Sequence, residues 1–183
     1  MSKLFLRYAA MNAGKSTQLL QVAHNYDERG MSVVLYTARL DDRAGVGLVA
    51  SRLGVTRAAQ TYTPRTVFDV ATLGTPACVL VDEGQFLTEA QVRQLHRYAH
   101  EQRVPVICYS LRTDFQGNTF AGSAALLALV DNLEEIKTIC HCGRKATMNI
   151  RVGADGSRLR EGDQIEIGGS LRYQSVCGRC FYQ

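Results

Sequence analysis

One stretch limits what this chain can become more than any other: Ala9-Ala10-Met11-Asn12-Ala13-Gly14-Lys15-Ser16-Thr17. The apolar run Leu4-Phe5-Leu6-Arg7-Tyr8 precedes it, and a segment of helical periodicity follows. Strand, tight loop and helix, in that order, form the frame in which a G-x-x-x-x-G-K-[ST] loop holds nucleoside triphosphate phosphates. Loop N–H groups and the positive end of the helix dipole face the anion. Lys15 adds a point charge at the β/γ-phosphates, and Ser16 offers its hydroxyl to Mg²⁺. Ala9 stands where the motif has its first glycine. A methyl group fits there only at negative φ, so the turn into the loop is predicted not to be left-handed. A chance Gly-Lys-Ser is the competing explanation, and the strand-loop-helix setting argues against it.

The 183 residues are 46% apolar, enough for one domain with a real core, or one plus a small module. The formal net charge of +4 is spread over interleaved acids and bases. That leaves no basic stripe for nucleic acid and no charged tail. Lys3 and Arg7 interrupt the only apolar run near the start, so no secretory leader is read there. No apolar stretch reaches membrane-spanning length. The expectation is a cytoplasmic protein with neither nucleic acid nor membrane as partner. The spacing of the six cysteines agrees, since it suggests metal more than disulfides.

Ser16 to Arg29 repeats Leu19, Leu20, Val22, Ala23 and Tyr26 at helical spacing, with Gly30 at its C-cap. Ser32 to Thr37 is a β-branched run and reads as a second parallel strand. The polar loop that follows, Arg39 to Gly47, lies either on the ligand side of an α/β sheet or in a solvated turn. Gln60 to Thr63 reads as a short strand and Thr66 to Leu73 as a short helix. Ala77 to Val81 is wholly apolar, as a central parallel strand should be, and ends in Asp82-Glu83. Asp82 occupies the Walker B position, facing Mg²⁺, unless it only caps the next segment. Glu83, one residue on, can reach a nucleophile and take its proton.

Thr88 to Arg103 reads as a helix with Thr88 and Gln91 in a capping box and Val92, Leu95 and Ala99 facing inward. His96 and His100 share a face, but no H-E-x-x-H acid lies between them, which favours a solvated surface. Val104 to Ser110 is another strand, and Ala121 to Val130 a small-residue helix. The loop between them carries Phe115 and Phe120, which form either a stacking wall for a flat ring or ordinary core anchors. Beyond Asn132 come Cys140-His141-Cys142 and Cys177-Gly178-Arg179-Cys180. Two cysteine pairs on tight turns suit a tetrahedral zinc ribbon, although the first pair has only one spacer residue. Ala146 to Val152 and Gln164 to Ile167 alternate like ribbon strands about a turn at Gly153 to Gly156.

The phosphate loop, Asp82-Glu83-Gly84-Gln85-Phe86, Leu111-Arg112-Thr113-Asp114-Phe115 and the terminal cysteines, with Ile167-Gly168-Gly169 and Tyr173 before the last pair, occur in a specific order. Together they resemble thymidine kinases of the zinc-containing cytosolic type, the bacterial branch in particular. The resemblance implies an α/β fold: a RecA-like P-loop parallel-sheet core over 1–135 and a zinc-held lasso domain over 136–183. It implies transfer of the γ-phosphate of ATP to the 5′-hydroxyl of thymidine, giving dTMP. Homotetramers and feedback inhibition by dTTP are usual in that family.

The implied roles fall on residues by number. Ala9, Ala10, Met11, Asn12, Ala13, Gly14, Lys15 and Ser16 match the ATP loop, joined by Asp41, Asp42 and Arg43 and by Asp82, Glu83, Gly84 and Gln85. Glu83 and Lys15 are the catalytic pair, and Ser16 and Asp82 hold Mg²⁺. Met11, Phe86, Leu111, Phe115 and Phe120 match the thymidine pocket, Phe115 as the stacking ring. Gln164, Ile165, Glu166, Ile167 and Gly168 match the lasso backbone that reads the base, and Tyr173 its end. Cys140, Cys142, Cys177 and Cys180 match the structural Zn²⁺ ligands. Arg112 departs from the acid that animal members carry in that loop.

Overall fold

The computed structural model describes residues 3–165 and 173–183. In chain order the elements are β1 (Leu4–Ala9), α1 (Lys15–Asp27), β2 (Val33–Ala38), β3 (Leu48–Ala50), β4 (Thr56–Ala58), β5 (Gln60–Tyr62), α2 (Val70–Leu73) and β6 (Cys78–Val81). A 3₁₀ turn (Gly84–Phe86) follows, then α3 (Glu89–Glu101), β7 (Val106–Leu111), α4 (Ala121–Leu129) and β8 (Asn132–Glu135). The last part holds β9 (Thr138–Ile139), β10 (Lys145–Ala146), β11 (Met148–Val152), β12 (Arg158–Leu159), β13 (Tyr173–Val176) and α5 (Gly178–Tyr182).

The main sheet has the order β5-β2-β6-β7-β1-β8, and every pairing in it is parallel. Parallel strands need crossovers, and the crossover helices cover both faces. Alternate strand residues therefore divide between two cores. Leu35, Leu80, Ile107 and Tyr109 meet Leu19, Leu20 and Ala23 of α1. Leu4, Leu6, Val79, Val81, Val106 and Cys108 meet Val92, Leu95 and Ala99 of α3 and Leu126 of α4. The carboxyl ends of β1, β2, β6 and β7 gather along one edge, with Ala9 beside Leu111. In an open α/β sheet that edge is where ligands sit.

The expected helix after Thr88 forms with its capping box: the Thr88 hydroxyl accepts from the Gln91 N–H at 3.2 Å, and Gln91 Oε1 from the Thr88 N–H at 3.0 Å. Gln91 Nε2 also donates to the Thr63 and Thr66 carbonyls, so one side chain fixes both the helix and the loop before it. The helix expected from Thr66 starts only at Val70. Thr66 Oγ1 instead closes a turn on the Thr63 N–H, and Asp69 caps the short α2.

Gly122, in the first turn of α4, lies directly against the 3₁₀ turn. A Cβ there would stand 2.5 Å from the Gly84 carbonyl oxygen, 2.6 Å from that of Leu87 and 2.8 Å from that of Gln85. All three are backbone atoms and cannot swing aside. Gly122→Ala is therefore expected to destabilise the chain by about 1–3 kcal/mol or more, read as a lowered Tm. An unchanged Tm would show that the turn yields without cost.

The residues from β9 onward build their own apolar cluster, with Cys140, Ala146, Ile150, Val152, Val176, Cys177 and Phe181 buried. β11 is its central strand, between β12 and β13. Here the sequence expectation needs correction. The chain returns from the Gly153–Gly156 turn at once, and Arg158–Leu159 pairs with Arg151–Val152. The Asp155 carboxylate accepts from both the N–H and the hydroxyl of Ser157, which closes the turn tightly. Gln164 and Ile165 are consequently outside any strand. Among the described residues no helix is long and apolar enough to cross a membrane.

Candidate active site

β1 delivers the chain to the phosphate loop in extended geometry, so Ala9 avoids positive φ as expected. The left-handed positions fall later, at Asn12 (φ 64°) and Gly14 (φ 87°). Gly14 is the N-cap of α1 and accepts the first helical bond, Gln18 N–H to Gly14 O at 3.0 Å. No side chain caps this terminus and no acid lies in its first turn, so its N–H groups face open space with Lys15 beside them. That is the electrostatic form of an anion site.

The end of β6 supplies the acids. The Ser16 hydroxyl donates to Asp82 Oδ2 at 3.0 Å. Burial, and after it the charge of Glu83, push the Asp82 carboxyl up to about 7, against the pull of Lys15 and Ser16. A buried acid so disfavoured as an anion, facing a hydroxyl oxygen, is a hard-oxygen pair short of positive charge. Glu83 itself sits in a left-handed backbone conformation, φ 54° and ψ 40°. Its carbonyl accepts from the buried Tyr62 hydroxyl at 2.7 Å. Glu83 Oε1 accepts from Arg43 Nη2 at 2.7 Å and Oε2 from Gln85 Nε2. Arg43 in turn grips Asp41 through Nε at 2.6 Å and Nη2 at 2.7 Å. Burial works against the Asp41 anion, but this grip outweighs it and holds the carboxyl below its usual range. Gln85 Oε1 accepts from the Leu111 N–H at 3.1 Å, which ties the acid to the end of β7.

These groups open on one cavity of about 1030 Å³. Its walls hold Met11 to Ser16, Asp41, Arg43, Asp82, Glu83 and Gln85, and, further along, Phe86, Leu111, Phe115, Phe120, Gln164, Ile165 and Tyr173. Ala9, Ala10 and Gly84 are buried behind it, and Asp42 is away from its wall. Glu166, Ile167 and Gly168 lie outside the described residues.

The aromatic end of the cavity is held from behind. Phe86 and Phe120 meet edge to face at 6.0 Å. The Arg151 guanidinium lies 3.9 Å over the Phe115 ring and donates to the Tyr173 hydroxyl at 3.0 Å and the Asp163 carbonyl at 2.7 Å. Gln164 Nε2 donates to Asp114 Oδ2 at 2.8 Å.

Two site features escaped the sequence. The hairpin β3–β4 adds Leu48 to Leu53 to the cavity wall beside the phosphate loop. Asn149, on β11, accepts from the Met11 N–H at 2.7 Å and donates to the Thr113 carbonyl at 3.0 Å. One buried amide thus joins the phosphate loop, the β7–α4 loop and the cysteine-bearing part. Asn149→Ala strands both backbone partners and is expected to cost about 1–3 kcal/mol in urea unfolding. A loss under half a kcal/mol would mean that solvent replaces the amide.

The cysteines come together as expected. Cys140, Cys142, Cys177 and Cys180 have their sulfurs within 4.8 Å of one another, and Cys142 Sγ is 3.6 Å from Cys177 Sγ. Sulfurs around a tetrahedral zinc ion, with bonds of about 2.3 Å, stand about 3.8 Å apart. The four could bind a metal such as zinc, and none is in a disulfide.

A family profile described as thymidine kinase matches residues 2–181. A thymidine kinase of Chromobacterium violaceum is 60% identical over 182 residues, covering 100% of this chain and 99% of its own. One from Albidiferax ferrireducens is 59% identical, covering 100% and 93%. One from a Jannaschia species is 55% identical, covering 99% and 95%.

Proposed function

This chain belongs to the thymidine kinase family, and from that premise we propose that it moves the γ-phosphate of ATP to the 5′-hydroxyl of thymidine, giving dTMP and ADP. Thymidine phosphorylation follows from the family. The donor, the product and the residue roles are our reading. One observation carries it: Glu83, set by its own backbone at the mouth of β6, faces the same cavity as the bare N-terminus of α1.

In this reading the loop amides and Lys15 bind the triphosphate and hold its terminal phosphate in line with the nucleoside. Ser16 and Asp82 would hold Mg²⁺, which fits their hard-oxygen pair and supplies charge neutralisation on the β- and γ-phosphate oxygens. Phosphoryl transfer is mostly positioning, so the protein's part is orientation. Glu83 orients the 5′-hydroxyl and accepts its proton late in the transfer. Arg43 and Gln85 hold the Glu83 carboxylate until the hydroxyl arrives. Phe115, stiffened by Arg151, stacks on the thymine ring, with Met11, Phe86, Leu111 and Phe120 around it. The backbone of 164–168 reads the base edge, and Tyr173 closes that segment. Asp41 joins through Arg43.

Zinc on the four cysteines is structural. The division into a kinase core over 1–135 and a zinc-held part over 136–183 belongs to the same reading. So do a cytoplasmic location, a homotetramer and inhibition by dTTP, all carried over from the family resemblance.

The test is a kinase assay with labelled thymidine, ATP and Mg²⁺, run beside deoxycytidine and deoxyadenosine. dTMP from thymidine alone supports donor, acceptor and pocket together. No product from any nucleoside, with zinc and magnesium supplied, would overturn the reading.

A further inference from the structure

We propose that His96, His100 and Asp131 form a second metal centre, remote from the cysteines, that takes a borderline divalent ion of the zinc type. The sequence shows two histidines one helical turn apart with no acid between them. The fold brings a third donor: Asp131 stands between α4 and β8, and its carboxylate reaches the face of α3. The ligand atoms of the three side chains lie within 4.8 Å of one another.

The geometry suits one ion. His100 Nε2 is 3.1 Å from Asp131 Oδ2. Two ligands bound to one tetrahedral ion, each about 2.0–2.2 Å from it, stand about 3.3–3.6 Å apart, so a few tenths of an ångström of separation would admit the ion. The two imidazoles are 4.7 Å apart between centroids at 64°, on the same side of α3 as their spacing of four residues requires. The carboxylate is held before any ion arrives. Asp131 Oδ2 accepts from the Leu4 N–H at 2.8 Å, and the Asp131 N–H donates to the Leu4 carbonyl at 3.0 Å. Such an outer hydrogen bond orients a metal-binding carboxylate, and Oδ2 keeps a further lone pair for an ion beside His100.

The donor set selects the ion. Two imidazoles and one carboxylate favour zinc, nickel or copper over magnesium or calcium, which take oxygen ligands. All three side chains are at least partly exposed, so a water can complete the shell. An ion there would fasten the second half of α3 to the first residue of β1. None of the three residues lines the cavity, so the centre is independent of the proposed chemistry.

The experiment is a calorimetric Zn²⁺ titration of the whole chain with its cysteine site already filled and loose metal removed on a chelating resin. The wild type is expected to take up about one further equivalent. His100→Asn and His96→Gln, each still folded with near-normal Tm and kinase rate, are expected to bind it at least about 10–100-fold more weakly. His24→Gln, an exposed histidine elsewhere on the surface, should titrate like the wild type. Absence of the further equivalent, or the same affinity in His100→Asn as in wild type, would overturn the proposal.

Discussion

Glu83→Gln is expected to lower kcat by about 10²–10⁴ while leaving ATP affinity nearly unchanged. The two halves of that result come from different parts of the site. Phosphates are held by the N-terminus of α1, the loop amides and Lys15, none of which relies on the Glu83 side chain. The substitution keeps shape and volume but removes the proton acceptor. It also replaces one oxygen that accepts from Arg43 or Gln85 with an amide that donates. One of those donors then faces another donor, so some loss of order at the base adds to the loss of basicity. Single-turnover rates beside a nucleotide titration separate the two effects. A rate within a few-fold of wild type would remove Glu83 as the base and turn attention to Asp82, the other acid at the end of β6.

Zinc removal is expected to do more damage than any single substitution. The apolar cluster around β11 counts few side chains, and two of them are the proposed ligands Cys140 and Cys177. So small a core does not hold itself together, and structural zinc supplies on the order of 10 kcal/mol in such modules. The loss would travel. β11 carries Asn149, which holds Met11 and Thr113, and Arg151, which covers Phe115 and bonds Tyr173. Unfolding that strand therefore removes the support of both ends of the cavity. A strong chelator should abolish thymidine binding and weaken ATP binding, while the helical circular dichroism of α1, α3 and α4 largely persists. Added Zn²⁺ should restore both ligands. Undiminished thymidine binding by metal-free protein would separate the metal from the site.

Five strands of the main sheet were legible because their residues obey one rule at a time; the edge strand β8, mostly exposed, was not. Cys78–Val81 and Val106–Leu111 are buried on both faces and read as apolar runs. Thr88 and Gln91 announce the start of α3 by capping chemistry, and Val92, Leu95 and Ala99 mark its inner face. The hairpin β3–β4 was not legible. Its strands are three residues each, too short for alternation to mark them. They are secured partly by Arg57 on Asp27, a pairing across thirty residues that no local pattern reveals.

The site divides the same way. Phosphate-loop residues are contiguous and carry their own signal. Arg43 reaching Glu83, Asn149 reaching Met11 and Arg151 covering Phe115 are long-range contacts by polar groups whose neighbours in sequence look ordinary. Phe115 and Phe120 left two alternatives open, wall or core anchor, and both apply: each is nearly buried and each borders the cavity. Asp131 joining His96 and His100 is the same kind of event on the far side of the sheet.

The left-handed backbone at Glu83 has a consequence for how variation at that position would be scored. A side chain with a Cβ costs about 1–2 kcal/mol in that conformation, and glycine costs nothing. A library of position-83 variants ranked by cellular abundance should place Gly and Asn well above Val and Ile. The same library ranked by growth on salvaged thymidine should keep Glu alone. Two rankings that disagree at a single codon distinguish a residue retained for its work from one retained for its fit.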